Sequence, residues 1–200
     1  MKFSKLERIA SAQRPMASRA VFASLLLAAL AVAILAGSAL AAGNLIKNGS
    51  FEKDTNGDGV PNNWTGNINL TPADKRVCNQ SYAGTCSFKL VGDGTEKYLS
   101  QIVSLPGGTQ GESFQLNVWA KGKNTVLGSG IVLIQMIILH TDGDSLDNYY
   151  AYIPAGNTPW TKYTINGEAT ENFNNINVVL FSSADSGKAW FDKVKLVAAL

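Results

Sequence analysis

Beyond residue 43, no window of this 200-residue chain repeats with a helical period. Apolar residues alternate with polar ones, or form short continuous runs, between clusters of Gly, Asn, Asp and Pro. That pattern belongs to strands joined by tight turns. Candidate strands lie near 44–51, 64–70, 84–91, 97–104, 113–121, 131–140, 148–153, 160–166, 174–182 and 188–197. About ten strands at this spacing, with no crossover helices between them, predict an all-β antiparallel sandwich. The composition agrees: after the leader described below there are 17 Asn and 18 Gly, alongside many β-branched and aromatic residues.

Alternation assigns faces. In SFQLNVWAK, Phe114, Leu116, Val118 and Ala120 point one way and Gln115, Asn117, Trp119 and Lys121 the other. The first set is the core face. In NNINVVLFSS, Ile176, Val178 and Leu180 oppose Asn175, Asn177, Val179 and Phe181. IVLIQMIILH is apolar on both faces except at Gln135, as expected of a central strand whose outer face is covered or lines a cleft.

The first 42 residues are of another kind. Lys2, Lys5, Arg8, Arg14 and Arg19 precede an uncharged run from Ala20 to Ala42, which ends in the small residues SALAAG. A basic start, an apolar stretch and Ala39-Leu40-Ala41 describe a signal peptide, so the mature chain is expected to begin near Ala42 or Gly43. About 20 apolar residues also suffice for a retained signal anchor. In either case residues 43–200 form one domain that is secreted or at the cell surface, with membrane contact only through an uncleaved leader. Of the 17 basic and 15 acidic residues the leader takes five and one, leaving 12 and 14 and a net charge of −2. A weakly acidic domain lacks the basic footprint of a nucleic-acid binder. Cys78 and Cys86 are the only cysteines. In an exported domain they are read first as a disulfide, the alternative being two buried thiols.

NLIKNGSFE (44–52) followed by PNNW (61–64) resembles the opening of carbohydrate-binding modules of the CenC type. SYAGTCSFKLV, KYLSQIVSLPGGTQGESFQLNVWAKG, TPWTKYTI and KAWFDKVKLV follow that family's order of motifs through residue 197. The resemblance implies a jelly-roll sandwich, a polysaccharide or surface glycan as partner, and a structural calcium. The family's calcium acids fall on Glu52 and Asp192. Calcium takes 6–8 oxygens, so two carboxylates with backbone carbonyls could join the first and last strands around it. Independently, Asp54, Asn56 and Asp58, followed by Gly59, copy the front half of an EF-hand loop. Thr65 stands where the closing Glu should be, so the loop is either a weak calcium site or a plain Asx turn.

Sugar recognition needs a flat apolar surface beside planar hydrogen-bonding groups. Trp119 with Asn117 and Gln115 supplies both, and Gln135, Asn177 and Tyr149 or Tyr150 could join them from neighbouring strands. The other reading has Trp119 closing a second small core; Trp64 and Trp160, at strand starts, read as core caps. His140 with Asp142 and Asp144 reads as a solvated turn rather than a metal site, since zinc catalysis wants several His or Cys ligands. The single histidine makes a Ser-His-Asp triad possible, but no nucleophile motif accompanies it. The expectation is therefore a non-enzymatic module binding a neutral poly- or oligosaccharide. Its rival is a structural or adhesive surface subunit that keeps the fold without a sugar site, and self-association is left open.

Overall fold

The computed structural model describes residues 43–199. The leader, and with it the cleavage site, lies outside the described residues. Ten strands form: β1 Thr65–Gly66, β2 Lys75–Val77, β3 Ser87–Val91, β4 Lys97–Gly108, β5 Ser113–Val126, β6 Val132–His140, β7 Leu146–Tyr152, β8 Gly156–Glu168, β9 Phe173–Ser182 and β10 Ser186–Ala199. They make two five-stranded antiparallel sheets, ordered β1-β4-β9-β6-β7 and β2-β3-β10-β5-β8.

The two sheets enclose one apolar core in which the inward residues of each strand meet. Phe114, Leu116, Val118 and Ala120 of β5 are fully buried, facing Ile176, Val178 and Leu180 of β9 and Ile134, Met136 and Ile138 of β6 across the sandwich. Phe51 joins the core with its ring 5.2 Å from Trp64 and 6.2 Å from Phe88. Burying each such side chain contributes roughly 1.5–3 kcal/mol.

The expected strand at 44–51 does not form. Asn48 and Phe51 take positive φ, which breaks an extended run, and Asn side chains satisfy the backbone instead. Asn44 donates from Nδ2 to Val194 O and accepts at Oδ1 from the Ile46 and Leu196 amides. The segment still lies along β10, with Leu45 N donating to Leu196 O and Val194 N to Gly49 O. The expected strand at 64–70 shrinks to two residues because a turn at 67–70, closed by Leu70 N donating to Asn67 O, ends it. β2 was not foreseen: KRV is too short and too charged to stand out, and pairing with β3 creates it.

One ion pair is sealed inside. Lys97, 1% exposed, donates from Nζ to Asp74 Oδ2 at 3.0 Å, to Val91 O at 3.0 Å and to Asp93 Oδ2 at 2.6 Å. Asp74 also accepts from the Val91 amide at Oδ1 and from the Thr71 amide and hydroxyl at Oδ2, so both its oxygens are engaged. Burial works against the Lys97 ammonium, but bonds from Asp93 and Asp74 leave its pKa above the ordinary lysine value. The Lys97 hydrogen bond, helped by Thr95, holds Asp93 down to about 2.

Candidate functional site

The outward residues of the β1-β4-β9-β6-β7 sheet fall in rows fixed by strand register. Tyr98, Phe181, Leu133 and Tyr152 make the first row; Ser100, Val179, Gln135 and Tyr150 the second. Ile102, Asn177, Ile137 and Asn148 follow, then Ser104, Asn175, Leu139 and Leu146. None of these residues carries a charge. Tyr98, Ile102, Leu146, Tyr150 and Tyr152 are all at least a third exposed, a concentration of bare apolar surface on one face. The Tyr150 and Tyr152 rings meet edge-on at 5.2 Å. Desolvation, together with the neighbouring Tyr150, raises the Tyr152 phenol above its ordinary pKa. Beside the tyrosines, Gln135 Nε2 donates to Asn148 Oδ1 at 2.9 Å, while Asn177 Oδ1 has no partner.

The sequence reading joined Gln135, Asn177, Tyr149 and Tyr150 to Trp119, Asn117 and Gln115. The structure separates them. Gln115, Asn117 and Trp119 do sit together on the outer face of β5, but β5 belongs to the second sheet, on the opposite side of the sandwich from Gln135, Asn177 and Tyr150. Alternation reveals which face a residue takes within its strand, not which sheet the strand joins. Tyr149 points the other way from Tyr150, against the core, with its hydroxyl donating to Glu168 O.

Nor is Trp119 bare. The Tyr82 ring lies parallel to it with centroids 3.6 Å apart, and Trp160 closes the edge of Tyr82 at 6.2 Å. Its amide neighbours bond to one another: Gln115 donates to Asn166, Asn117 to Gln115, and Thr164 to Asn117. The platform expected for a sugar is thus occupied by the chain's own loop.

That loop is the one closed by the Cys78–Cys86 disulfide. Two carboxylates latch it. Asp192 Oδ2 accepts the amides of Tyr82 and Ala83, and Glu52 Oε1 accepts those of Thr85 and Cys86. Gly84 makes the turn possible: its φ is +72°, and a side chain there would run into Glu52. Asp192 is fully buried, and burial raises its pKa. Amide bonds from Ala83, Tyr82 and Lys193 pull the other way, and the nearby Glu52 charge adds to the rise. Glu52 and Asp192 bring two carboxylates to the same loop, and hard carboxylate oxygens are the ligands that calcium takes.

Asp54, Asn56 and Asp58 bond within their own loop. Asp54 accepts the Gly57 and Gly59 amides, Asn56 donates to Asp58, and Asp58 accepts the Val60 amide. Among the described residues, no group of three or more His, Cys, Asp or Glu side chains is gathered around a possible metal.

His140 has a different environment from the one expected of a solvated turn. Its ring, buried, bridges Ser145 Oγ at 2.7 Å from Nδ1 and Asp147 Oδ2 at 2.8 Å from Nε2. The trio has the residue types of a Ser-His-Asp triad. Ser145 Oγ also donates to Asp142 Oδ2, whose negative charge would oppose an oxyanion forming beside it. Asp147 is committed to the Thr170 amide and hydroxyl. Burial raises its pKa, but those bonds and His140 bring it below the usual carboxylate range. The cluster ties the β6–β7 hairpin to the turn before β9.

No protein-family model matches the sequence, and a search of curated proteins gives no match. Solved structures do match. A family 16 carbohydrate-binding module aligns over 77% of this chain and 99% of its own, with 24% identity and a TM-score of 0.56. TmCBM61, solved with β-1,4-galactotriose, aligns over 78% and 99% at 18% identity and TM-score 0.54. The fold is the jelly roll of carbohydrate-binding modules. The enzymatically active domain of bacteriophage CBA120 tailspike protein 4 also carries it, with 21% identity and a TM-score of 0.58, but this jelly roll spans only 21% of that longer chain.

Proposed function

We propose that this chain is an exported, non-catalytic carbohydrate-binding domain that takes a neutral poly- or oligosaccharide on the outer face of the β1-β4-β9-β6-β7 sheet. The carrying observation is the make-up of that face: no charge, exposed Tyr98, Tyr150 and Tyr152, and the amides of Gln135, Asn148 and Asn177 between them. Tyrosine rings offer flat apolar area to the C–H face of a pyranose, and amides can pair with neighbouring hydroxyls. A neutral ligand avoids the desolvation cost of burying a charge. The likeness to a family 16 carbohydrate-binding module and to TmCBM61 adds support from the fold. The disulfide fits an oxidising, extracytoplasmic setting. In the same reading Glu52 and Asp192 hold a structural calcium, with backbone carbonyls or water completing its shell.

A glycan array followed by affinity electrophoresis tests the site. Tyr150→Ala and Gln135→Ala should lose retention by the polysaccharide that holds the wild type, with stability changed by about 0.5 kcal/mol or less, as at an exposed surface. Trp119→Ala should keep retention and lose stability, toward the lower end of the roughly 3–5 kcal/mol range for Trp truncation. The reverse pattern would return the sugar site to Trp119.

The exposed Ile102 and Leu146 on the same face favour a second reading, a structural or adhesive subunit that packs there against protein. Sedimentation of wild type and Ile102→Ser separates the two: a self-associating wild type that binds no glycan supports the subunit.

A further inference from the structure

The outer face of the second sheet has the opposite character. Register places Lys75, Lys89, Trp190 and Lys121 in one row across β2, β3, β10 and β5, with Lys188 and Lys123 paired in the row beside it. These lysines crowd one corner of a domain whose net charge is negative. Among the described residues the ion pairs are Lys97 with Asp74 and Asp93, and His140 with Asp147, so none of these lysines has a carboxylate within salt-bridge reach. Asp74, the acid nearest Lys89 in charge effect, is engaged by Lys97.

The corner is recessed. A pocket of about 330 Å³ is lined by Lys75, Lys89, Lys188, Trp190, Asn79 and Gln80. The Trp190 residue is only 7% exposed, and the Lys121 ammonium stands 5.8 Å from its ring centroid. Lys121 also donates to Gln80 Oε1 at 3.3 Å, fixing one wall. Burial, and then Lys188 and Lys75, lower the Lys89 pKa. Three cations face one recess, and the acid that acts on Lys89, Asp74, is already paired with Lys97, so a positive potential remains that a ligand can relieve.

We propose that this recess is a second carbohydrate subsite, specific for an acidic sugar residue whose carboxylate, sulfate or phosphate meets Lys75, Lys89 and Lys188. It rests on the reading of the chain as a glycan binder, but not on the uncharged face. The pocket lies at the small end of the ligand-site range, roughly 300–1,000 Å³, which suits one ring with its anionic substituent. A nucleic-acid duplex would instead need cations spread along a backbone track. The amides of Asn79 and Gln80 supply hydroxyl contacts that a bare phosphate would not use.

The test is affinity electrophoresis and calorimetry of the purified protein with polygalacturonate and dextran sulfate, using uncharged dextran as the control. Wild type should bind at least one charged polymer, with affinity falling as salt rises. The triple change Lys75→Gln, Lys89→Gln, Lys188→Gln should weaken that binding at least tenfold while the circular dichroism melt stays in place. Tyr150→Ala should leave it unchanged, so failure of the neutral face and failure of this site are read separately. Three results overturn the proposal: no preference for charged over uncharged dextran, unchanged affinity in the triple variant, or lysine-dependent binding of phosphatidylserine vesicles or duplex DNA stronger than that of both acidic polymers.

Discussion

Breaking the Cys78–Cys86 bond should cost a definite amount. The two residues are 8 apart, and closing a loop of that length removes about 8 cal/mol/K from the unfolded chain, or about 2.5 kcal/mol at 25 °C. For a domain of this size each kcal/mol moves Tm by about 2–4 °C, so Cys78→Ser with Cys86→Ser should melt about 5–10 °C lower. The native state should change little at room temperature, because Asp192 and Glu52 hold the loop through four amide bonds that do not involve sulfur. Differential scanning calorimetry reads the loss, and quenching of Trp119 fluorescence reports whether Tyr82 stays on the indole. A shift below about 1 °C would refute the chain-entropy account. A freely quenched Trp119 at 25 °C would show instead that the carboxylates cannot hold the loop alone.

Lys97→Met should destabilise by about 3–5 kcal/mol, because it strands the buried Asp74 carboxylate; urea unfolding checks it, and the double change with Asp74→Asn should recover part of the loss. Asp93 has its pKa depressed from 3.8 to about 2, so its contribution is complete above pH 4 and disappears as pH falls through 2; acid titration of stability should lose that step in Asp93→Asn. Asp192 has its pKa raised, so ionising it costs stability as pH climbs through its folded value, unless a cation compensates. Chelation should therefore lower Tm by several degrees at neutral pH, and Asp192→Asn should remove the sensitivity; identical wild-type melts with and without chelator would exclude a structural calcium.

Period-2 alternation marked the core faces of β5 and β9 residue by residue, and turn residues bounded most strands, so the sandwich was legible. The sheet assignment was not. It depends on which strands pair, and β10 lying between β3 and β5 is decided by packing of distant segments rather than by any local pattern. For that reason a single site was drawn from residues on two faces. Tyr98, which stands in the first row of the uncharged face, was passed over. It lies in a strand recognised from sequence, YLSQIVS, whose outward Tyr98, Ser100, Ile102 and Ser104 contain no charge. That charge-free outer pattern, repeated in β9 and β6, was the available signal. The covering of Trp119 could not be read, since Tyr82 reaches it from a loop 37 positions earlier in the chain.

The position of β10 has a consequence for the order in which the domain closes. The last of the ten strands is the middle of its sheet, and it also zips to residues 44–49, which open the domain. Until Ser186–Ala199 has emerged, β3 and β5 have no common neighbour and the core stays open. Completion of this sheet therefore waits on pairing between segments far apart in the chain, a step of high contact order. The same pairing closes the seam between β10 and residues 44–49, so one late event completes both.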